Sequence, residues 1–188
     1  MRFAATLALL LASASVSAAD YTAREGSTLG FSGAYQGEAF TGRFEKFTPS
    51  IRFDPADLAG SRFDVRIDLA SARTSNADYD PELAGASFFD TGRTPEARYI
   101  ATRFRALGGN RYVAEGSLTL RGASHPVPLT FTWTPGASPV LAGEATVRRL
   151  QFKVGTGEWA DVELIPDAIK VSTRLVLAPA PAAPAKAG

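Results

Sequence analysis

Between Ile51 and Ala70 the chain sorts its side chains by parity. Phe63, Val65, Ile67 and Leu69 fall on one side, and Arg62, Asp64, Arg66 and Asp68 on the other. Side chains of a strand point to opposite faces with a period of two, so this segment has one dry face and one charged face. Such a strand suits an antiparallel sheet that buries one side.

The pattern recurs. Leu29, Phe31 and Gly33 share a parity, as do Phe40, Gly42 and Phe44; the parity then slips by one before Phe47, Ile51 and Phe53. A slip of that kind predicts a bulge or bend near Lys46, with Pro49 as an alternative break. From Ser71 to Thr94 the alternation disappears. Asp80 followed by Pro81 predicts the cap and first residue of a short helix there. Strands then resume with Ile100, Thr102, Phe104 and Ala106 on the inward parity, and Gly108-Gly109-Asn110 makes the next turn. Tyr112 to Leu120 follows, and Arg121-Gly122 turns the chain into Val127, Leu129, Phe131 and Trp133. Leu141 to Val147 and Ile169 to Leu177 complete the series. The pattern predicts an all-β fold, an antiparallel barrel or sandwich of about eight strands, with a short helical insertion around residues 80–90. No internal repeat and no second domain is apparent.

The N-terminus reads as a secretory leader over residues 1–19. Arg2 is followed by an apolar run and by Val16-Ser17-Ala18-Ala19, with cleavage expected after Ala18 or Ala19. The leader predicts an exported protein. Without Arg2 the chain carries 19 basic and 19 acidic residues. That balance gives no electrostatic case for nucleic acid or for an anionic membrane surface. There is no Cys, so neither disulfides nor thiolate metal sites are available. Residues 20–177 are long enough for one well-cored domain. The Pro/Ala-rich stretch 178–188 reads as a disordered tail.

Catalytic candidates are few. His125 is the single histidine and sits in a turn before Pro126. Asn76, Asp78, Asp80 and Glu82 imitate the start of a calcium loop, but Pro81 stands at the glycine position and Ser87 at the position of the bidentate glutamate. Asp64 and Asp68 lie on the outward face between arginines, where paired surface charge explains them. Arg149 shares the inward parity of Leu141, Gly143, Ala145 and Val147. Either the strand ends before it or it pairs with Asp167, or it stands at a barrel mouth and meets an anionic or quinoid headgroup. Inward parity nominates Phe31, Phe40, Phe44, Phe53, Phe104, Ala114, Phe131 and Trp133 as the wall of an interior. Inward Gly33, Gly42, Gly116, Gly143, Ala106, Ala114 and Ala145 predict room in that interior for a ligand.

The order GRFEKFTPSIRFDPADLAGSRFDVRID, SFFD, EGSLTLRGASHPVPL, RRLQFKVGTGEW and DAIKVSTRL resembles the YceI-like family across Tyr21 to Leu177. The resemblance implies an eight-stranded lipocalin-like barrel of the bacterial periplasm whose lumen encloses a polyisoprenoid chain, of the isoprenoid quinone or polyprenyl phosphate type. It also places Phe88, Phe89 and Arg149 on recurrent motif positions. The expectation is a carrier or sequestering protein without catalysis, requiring no cofactor beyond a bound isoprenoid lipid or quinone. Transient contact with a membrane or membrane proteins, and a homodimer, stay open as partners. The alternatives are a packed barrel serving as an interaction or stress-related module, and a hydrolase, which would lack a nucleophile–histidine–acid set.

Overall fold

In a computed structural model, which describes residues 20–181, the alternating segments become eight antiparallel staves. The first three are each broken in two: β1 (Asp20–Ala23) with β2 (Thr28–Tyr35), β3 (Glu38–Phe44) with β4 (Phe47–Arg52), and β5 (Arg62–Asp68) with β6 (Ala72–Thr74). The other five are continuous: β7 (Glu96–Gly108), β8 (Arg111–Leu120), β9 (Ala123–Thr134), β10 (Val140–Arg148) and β11 (Ala168–Pro179). Each stave pairs with the next in sequence. The ring closes where β11 pairs with β1 over residues 177–179 and with β2 over residues 170–174. The expected leader, residues 1–19, lies outside the described residues, as does most of the expected tail. Strand β11 itself runs to Pro179, past the boundary expected at 177, because Ala178 and Pro179 pair with Thr22 and Tyr21.

The parity slip marks a corner. Glu45 and Lys46 separate β3 from β4, and their backbone is sewn to the bend between β5 and β6. Glu45 N–H donates to the Ser71 carbonyl at 3.1 Å, Lys46 N–H to the Ser71 hydroxyl at 3.0 Å, and Asp68 N–H to the Lys46 carbonyl at 3.0 Å. Pro49 does not break its strand; it sits inside β4, one residue beyond the last partner of β1.

Two further details follow from local chemistry. The two-residue turns Gln36-Gly37 and Arg121-Gly122 both hold positive φ at each position, the twist that joins adjacent antiparallel strands without splaying them. In β9, Trp133 N–H reaches the Asn110 carbonyl on the β8 side. Residues of even number in β9 therefore present their backbone to β10. Pro126 and Pro128 occupy two of those positions and have no N–H, and the β9–β10 ladder ends at Thr130 opposite Glu144.

One inward assignment is corrected. In β7 the inward residues are Ala97, Tyr99 and Ala101, and a register shift between Ala101 and Phe104 then flips the parity. Ile100 and Thr102 face outward; Phe104 turns inward only beyond the bulge. The helix also begins one residue earlier than expected. α1 (Asp80–Ala84) has Tyr79 at its cap position, and the Asp80 carboxylate instead accepts from the Thr74 N–H and hydroxyl, both at 2.8 Å.

The interior divides in two. At one end Phe53, Phe63, Phe104, Tyr112, Phe131 and Trp133 pack ring against ring, with centroid separations from 4.7 Å for Phe63–Phe104 to 6.5 Å for Phe104–Phe131. At the other, residues 75–95 and the β10–β11 connector, residues 149–167, fold over the barrel mouth.

Candidate functional site

Above the aromatic cluster lies a cavity of about 210 Å³. Its wall is built from inward residues of every stave, among them Phe31, Phe40, Phe44, Val65, Leu118 and Val171, with Leu83, Phe88, Phe89, Val154 and Ile165 from the two capping segments. Only Tyr99, Arg149 and Thr173 among the lining residues carry a polar side-chain atom. Its floor is made by Ile51, Phe63, Leu141 and Leu175, which belong to the packed cluster, together with Tyr99, which touches both halves of the interior.

Each polar lining group is spoken for. The Tyr99 hydroxyl donates to the Ala114 carbonyl at 3.2 Å, and Thr173 Oγ1 donates to the Thr28 carbonyl at 3.0 Å. Burial pushes the Tyr99 phenol well above its ordinary range, so it stays protonated. Arg149 is 3% exposed and spends all five N–H donors on backbone carbonyls. Nε donates to Pro166 at 3.2 Å, Nη1 to Val154 and Gly155 at 3.0 and 3.1 Å, and Nη2 to Asp161 and Ile165 at 3.5 and 2.6 Å. Burial draws its pKa below the usual guanidinium value, with Asp167 opposing. The strand does end before Arg149, one of the expected alternatives. The expected pairing with Asp167 is not formed: that carboxylate accepts from Arg148 at 3.3 Å and from Leu150 N–H at 3.0 Å. Arg149 is therefore the pin of the connector, with no N–H left over for a ligand headgroup.

The cap is clasped. Gly155 and Thr156 N–H groups donate to the Ser87 carbonyl at 2.7 and 3.0 Å. Arg121 donates to the Ala86 carbonyl at 2.9 Å and also to the carbonyls of Ser87 and Lys153. Phe88 packs on Trp159 at 5.5 Å and Phe89 on Phe44 at 5.8 Å, which seats the cap on the wall.

Of the residues nominated from sequence, Phe31, Phe40, Phe44, Phe88, Phe89 and Arg149 come together around the cavity. Phe53, Phe104, Ala114, Phe131 and Trp133 do not line it; they lie in the packed cluster below the floor. Inward parity identifies the interior but does not separate a filled half from a hollow one. The inward glycines also play a different part from the one expected. A Cβ at Gly42 would fall 2.2 Å from the Phe31 ring, one at Gly33 2.8 Å from Phe40, one at Gly116 2.2 Å from Tyr99, and one at Gly143 2.9 Å from the Phe131 Cβ. Gly42, Gly33 and Gly116 seat aromatic rings of neighbouring strands instead of leaving space, a cross-strand device that lets a large ring lie against the sheet, whereas Gly143 lets the β9 backbone and the Leu129 side chain approach closely.

Tyr99 and the connector were missed by the parity reading. The loss of alternation across residues 149–167 is the signal that would have marked a second capping segment. His125, expected in a turn, lies within β9 opposite Leu118 and sets its ring edge against Phe152 at 5.1 Å. The Asn76 side chain accepts from Asp78 N–H at 3.1 Å, turning its own loop. No cluster of three or more His, Asp or Glu side chains suited to a metal occurs among the described residues. Asp64 accepts from Arg98 Nε and Nη2 at 2.8 and 2.6 Å on the outer face, and that bonding holds its pKa below the ordinary value. Asp68 caps the turn after β5 by accepting from Ala70 N–H at 3.0 Å.

Fold and site thus define an antiparallel eight-stave barrel with a capped, apolar half-lumen. The sequence profile of the YceI-like domain matches residues 21–177, and the chain belongs to that family. A UPF0312 protein of Vibrio parahaemolyticus is 26% identical over 183 residues, covering 89% of this chain and 97% of its own. One from Photorhabdus laumondii is 34% identical over 126 residues, 65% of each chain. Among solved structures, Burkholderia cenocepacia BcnA aligns with a TM-score of 0.77 at 30% identity, covering 81% of this chain and 96% of its own. A polyisoprenoid binding domain from Saccharophagus degradans, implicated in plant cell wall breakdown, aligns with a TM-score of 0.65, covering 87% of this chain and 100% of its own. Its identity is 16%, which speaks for the fold alone.

Proposed function

We propose that this protein is a periplasmic lipid-binding protein that holds the hydrocarbon of an isoprenoid, of the quinone or polyprenyl type, inside its barrel and carries or sequesters it without chemistry. The observation that carries the proposal is the 210 Å³ cavity whose polar lining groups all bond to the protein's own backbone. A dry cavity of about 150 Å³ already accepts an apolar guest. Burying hydrocarbon contributes about 0.8 kcal/mol per CH2, so a chain threaded here needs no strong polar contact. Periplasmic placement is supported by the leader-like residues 1–19. The name of the Saccharophagus degradans relative supports the choice of ligand class.

Extraction of the purified protein with organic solvent, followed by mass spectrometry, tests the proposal. An isoprenoid recovered in near-stoichiometric amount is the expected result. Repeated extracts free of such lipid, with no binding of added quinone or polyprenol, would defeat it.

A further inference from the structure

We infer that this protein associates with further copies of itself head to tail, the cap of one barrel receiving the β7–β8 hairpin of the next.

Three large apolar side chains stand exposed among the described residues: Tyr79 at 43%, Leu107 at 42% and Val162 at 52%. They fall at opposite ends of the molecule. Tyr79 and Val162 belong to the two capping segments, and Leu107 to the tip of the β7–β8 hairpin. Strand β8 spans the distance. It leaves the hairpin at Arg111 and, about 30 Å further on, ends at Leu120 beside the Arg121 clasp of the cap.

On the cap the apolar side chains are contiguous. Tyr35 packs on Tyr79 and on Trp159, both at 6.1 Å. The turn after Tyr35 is tied to the connector, with Gln36 N–H donating to the Leu164 carbonyl at 2.8 Å, and Val162 lies two residues before that anchor. Amphipathic rings of this kind are enriched where proteins meet. Around them the surface is acidic. Residues 75–95 hold four carboxylates and one arginine, and residues 150–166 hold three carboxylates and one lysine. Asp78, Glu82, Glu158, Asp161 and Glu163 are exposed, and none of them enters an ion pair among the described residues.

The hairpin has the opposite sign. Residues 102–114 hold three arginines and no carboxylate. Arg103 pairs with Glu115 at 3.4 Å, while Arg105 and Arg111 are exposed and enter no ion pair among the described residues. Gly108, Gly109 and Asn110 all have positive φ, a tight turn that leaves Leu107 as the one large apolar side chain of the tip.

Charge decides the pairing. Cap against cap and hairpin against hairpin bring like charges together. Cap against hairpin brings arginines to unpaired carboxylates and covers Leu107 with Tyr79 and Val162. The same acidic rim repels an anionic lipid surface. Because the two faces differ, each added copy presents a free cap or a free hairpin, so the contact does not close at a dimer.

Sedimentation equilibrium of the purified protein tests the inference. The weight-average mass is expected to rise with protein concentration without levelling at a dimer. Association is expected to weaken about tenfold between about 20 mM and about 300 mM NaCl. Arg105→Glu combined with Arg111→Glu should leave monomer alone, and so should Glu158→Arg combined with Glu163→Arg. Mixing those two variants should restore association, since every cap then finds a hairpin of opposite charge. Val162→Ser should weaken association by about threefold with the charges unchanged. Circular dichroism reports the folding of each variant; if the charge reversals do not fold, wild type and Val162→Ser decide alone. A mass that stops at a dimer, an association indifferent to salt, or folded variants that stay monomeric when mixed would overturn the inference. Monomer at every concentration would overturn it too, and flotation of that monomer on phosphatidylcholine vesicles would assign the cap to a lipid surface instead.

Discussion

Tyr99 lies over Gly116 so closely that a Cβ on the glycine would fall 2.2 Å from both Cζ and the hydroxyl oxygen of the tyrosine. The two are diagonal neighbours across β7 and β8, since Gly116 pairs with Ala101 and Tyr99 with Leu118. The glycine is thus a seat, and the ring on it divides a hollow half-barrel from a filled one.

Gly116→Ala should lift the ring and destabilise the fold by about 1–3 kcal/mol, the usual effect of overpacking a core. The same substitution in a Tyr99→Leu background should have a smaller effect, because the clash partner is gone. Urea unfolding of the four proteins measures the coupling; additive effects would show that the contact is not what places the ring.

Tyr99 also gives stability a dependence on alkaline pH. Its folded pKa is raised by burial above the unfolded value of about 10. Below that pH both states keep the proton and the contribution of the buried phenol is intact. Above it the unfolded chain releases its proton first, so stability falls, by up to about 1.4 kcal/mol per pH unit. Tyr99→Phe, expected to lose about 1 kcal/mol at neutral pH with its hydrogen bond, should close the gap to wild type as pH passes 10. Unfolding curves at pH 8, 10 and 11 check this; a constant gap would contradict it.

Arg149→Lys should weaken the cap. An ammonium has three donors where the guanidinium serves five carbonyls. The carbonyls left without a donor should cost about 2–4 kcal/mol of stability. Hydrogen exchange should accelerate across residues 149–167. Since no guanidinium N–H points free into the lumen, the relative affinity for geraniol and geranyl diphosphate should stay within threefold. A selective loss of diphosphate binding would show that Arg149 meets the headgroup.

The barrel was legible in the sequence because a half-buried strand announces itself by parity, and most of the staves do so. Parity also located the corner at Lys46. It failed in β7, where the bulge between Ala101 and Phe104 made a single period-two reading put Ile100 inside and Tyr99 outside. The site was legible in part. Phe31, Phe40 and Phe44 were found because they face inward in the hollow half, yet Phe53, Phe131 and Trp133 face inward as well and fill the other half. Which half is hollow depends on ring-to-ring packing between strands far apart in sequence, and no local pattern carries that. Arg149 was recognised as an anomaly of parity, but its role depends on the carbonyls of residues 154–166 folding back around it.

Ala145 and Thr146 are adjacent in β10, one lining the cavity and the other exposed. Native mass spectrometry of protein purified from its own host, as wild type, Ala145→Trp and Thr146→Trp, sets the two faces against each other. A mass increment matching an isoprenoid should accompany the wild type and Thr146→Trp and be absent from Ala145→Trp. An increment missing from all three, or equal in all three, would contradict a ligand held in this lumen.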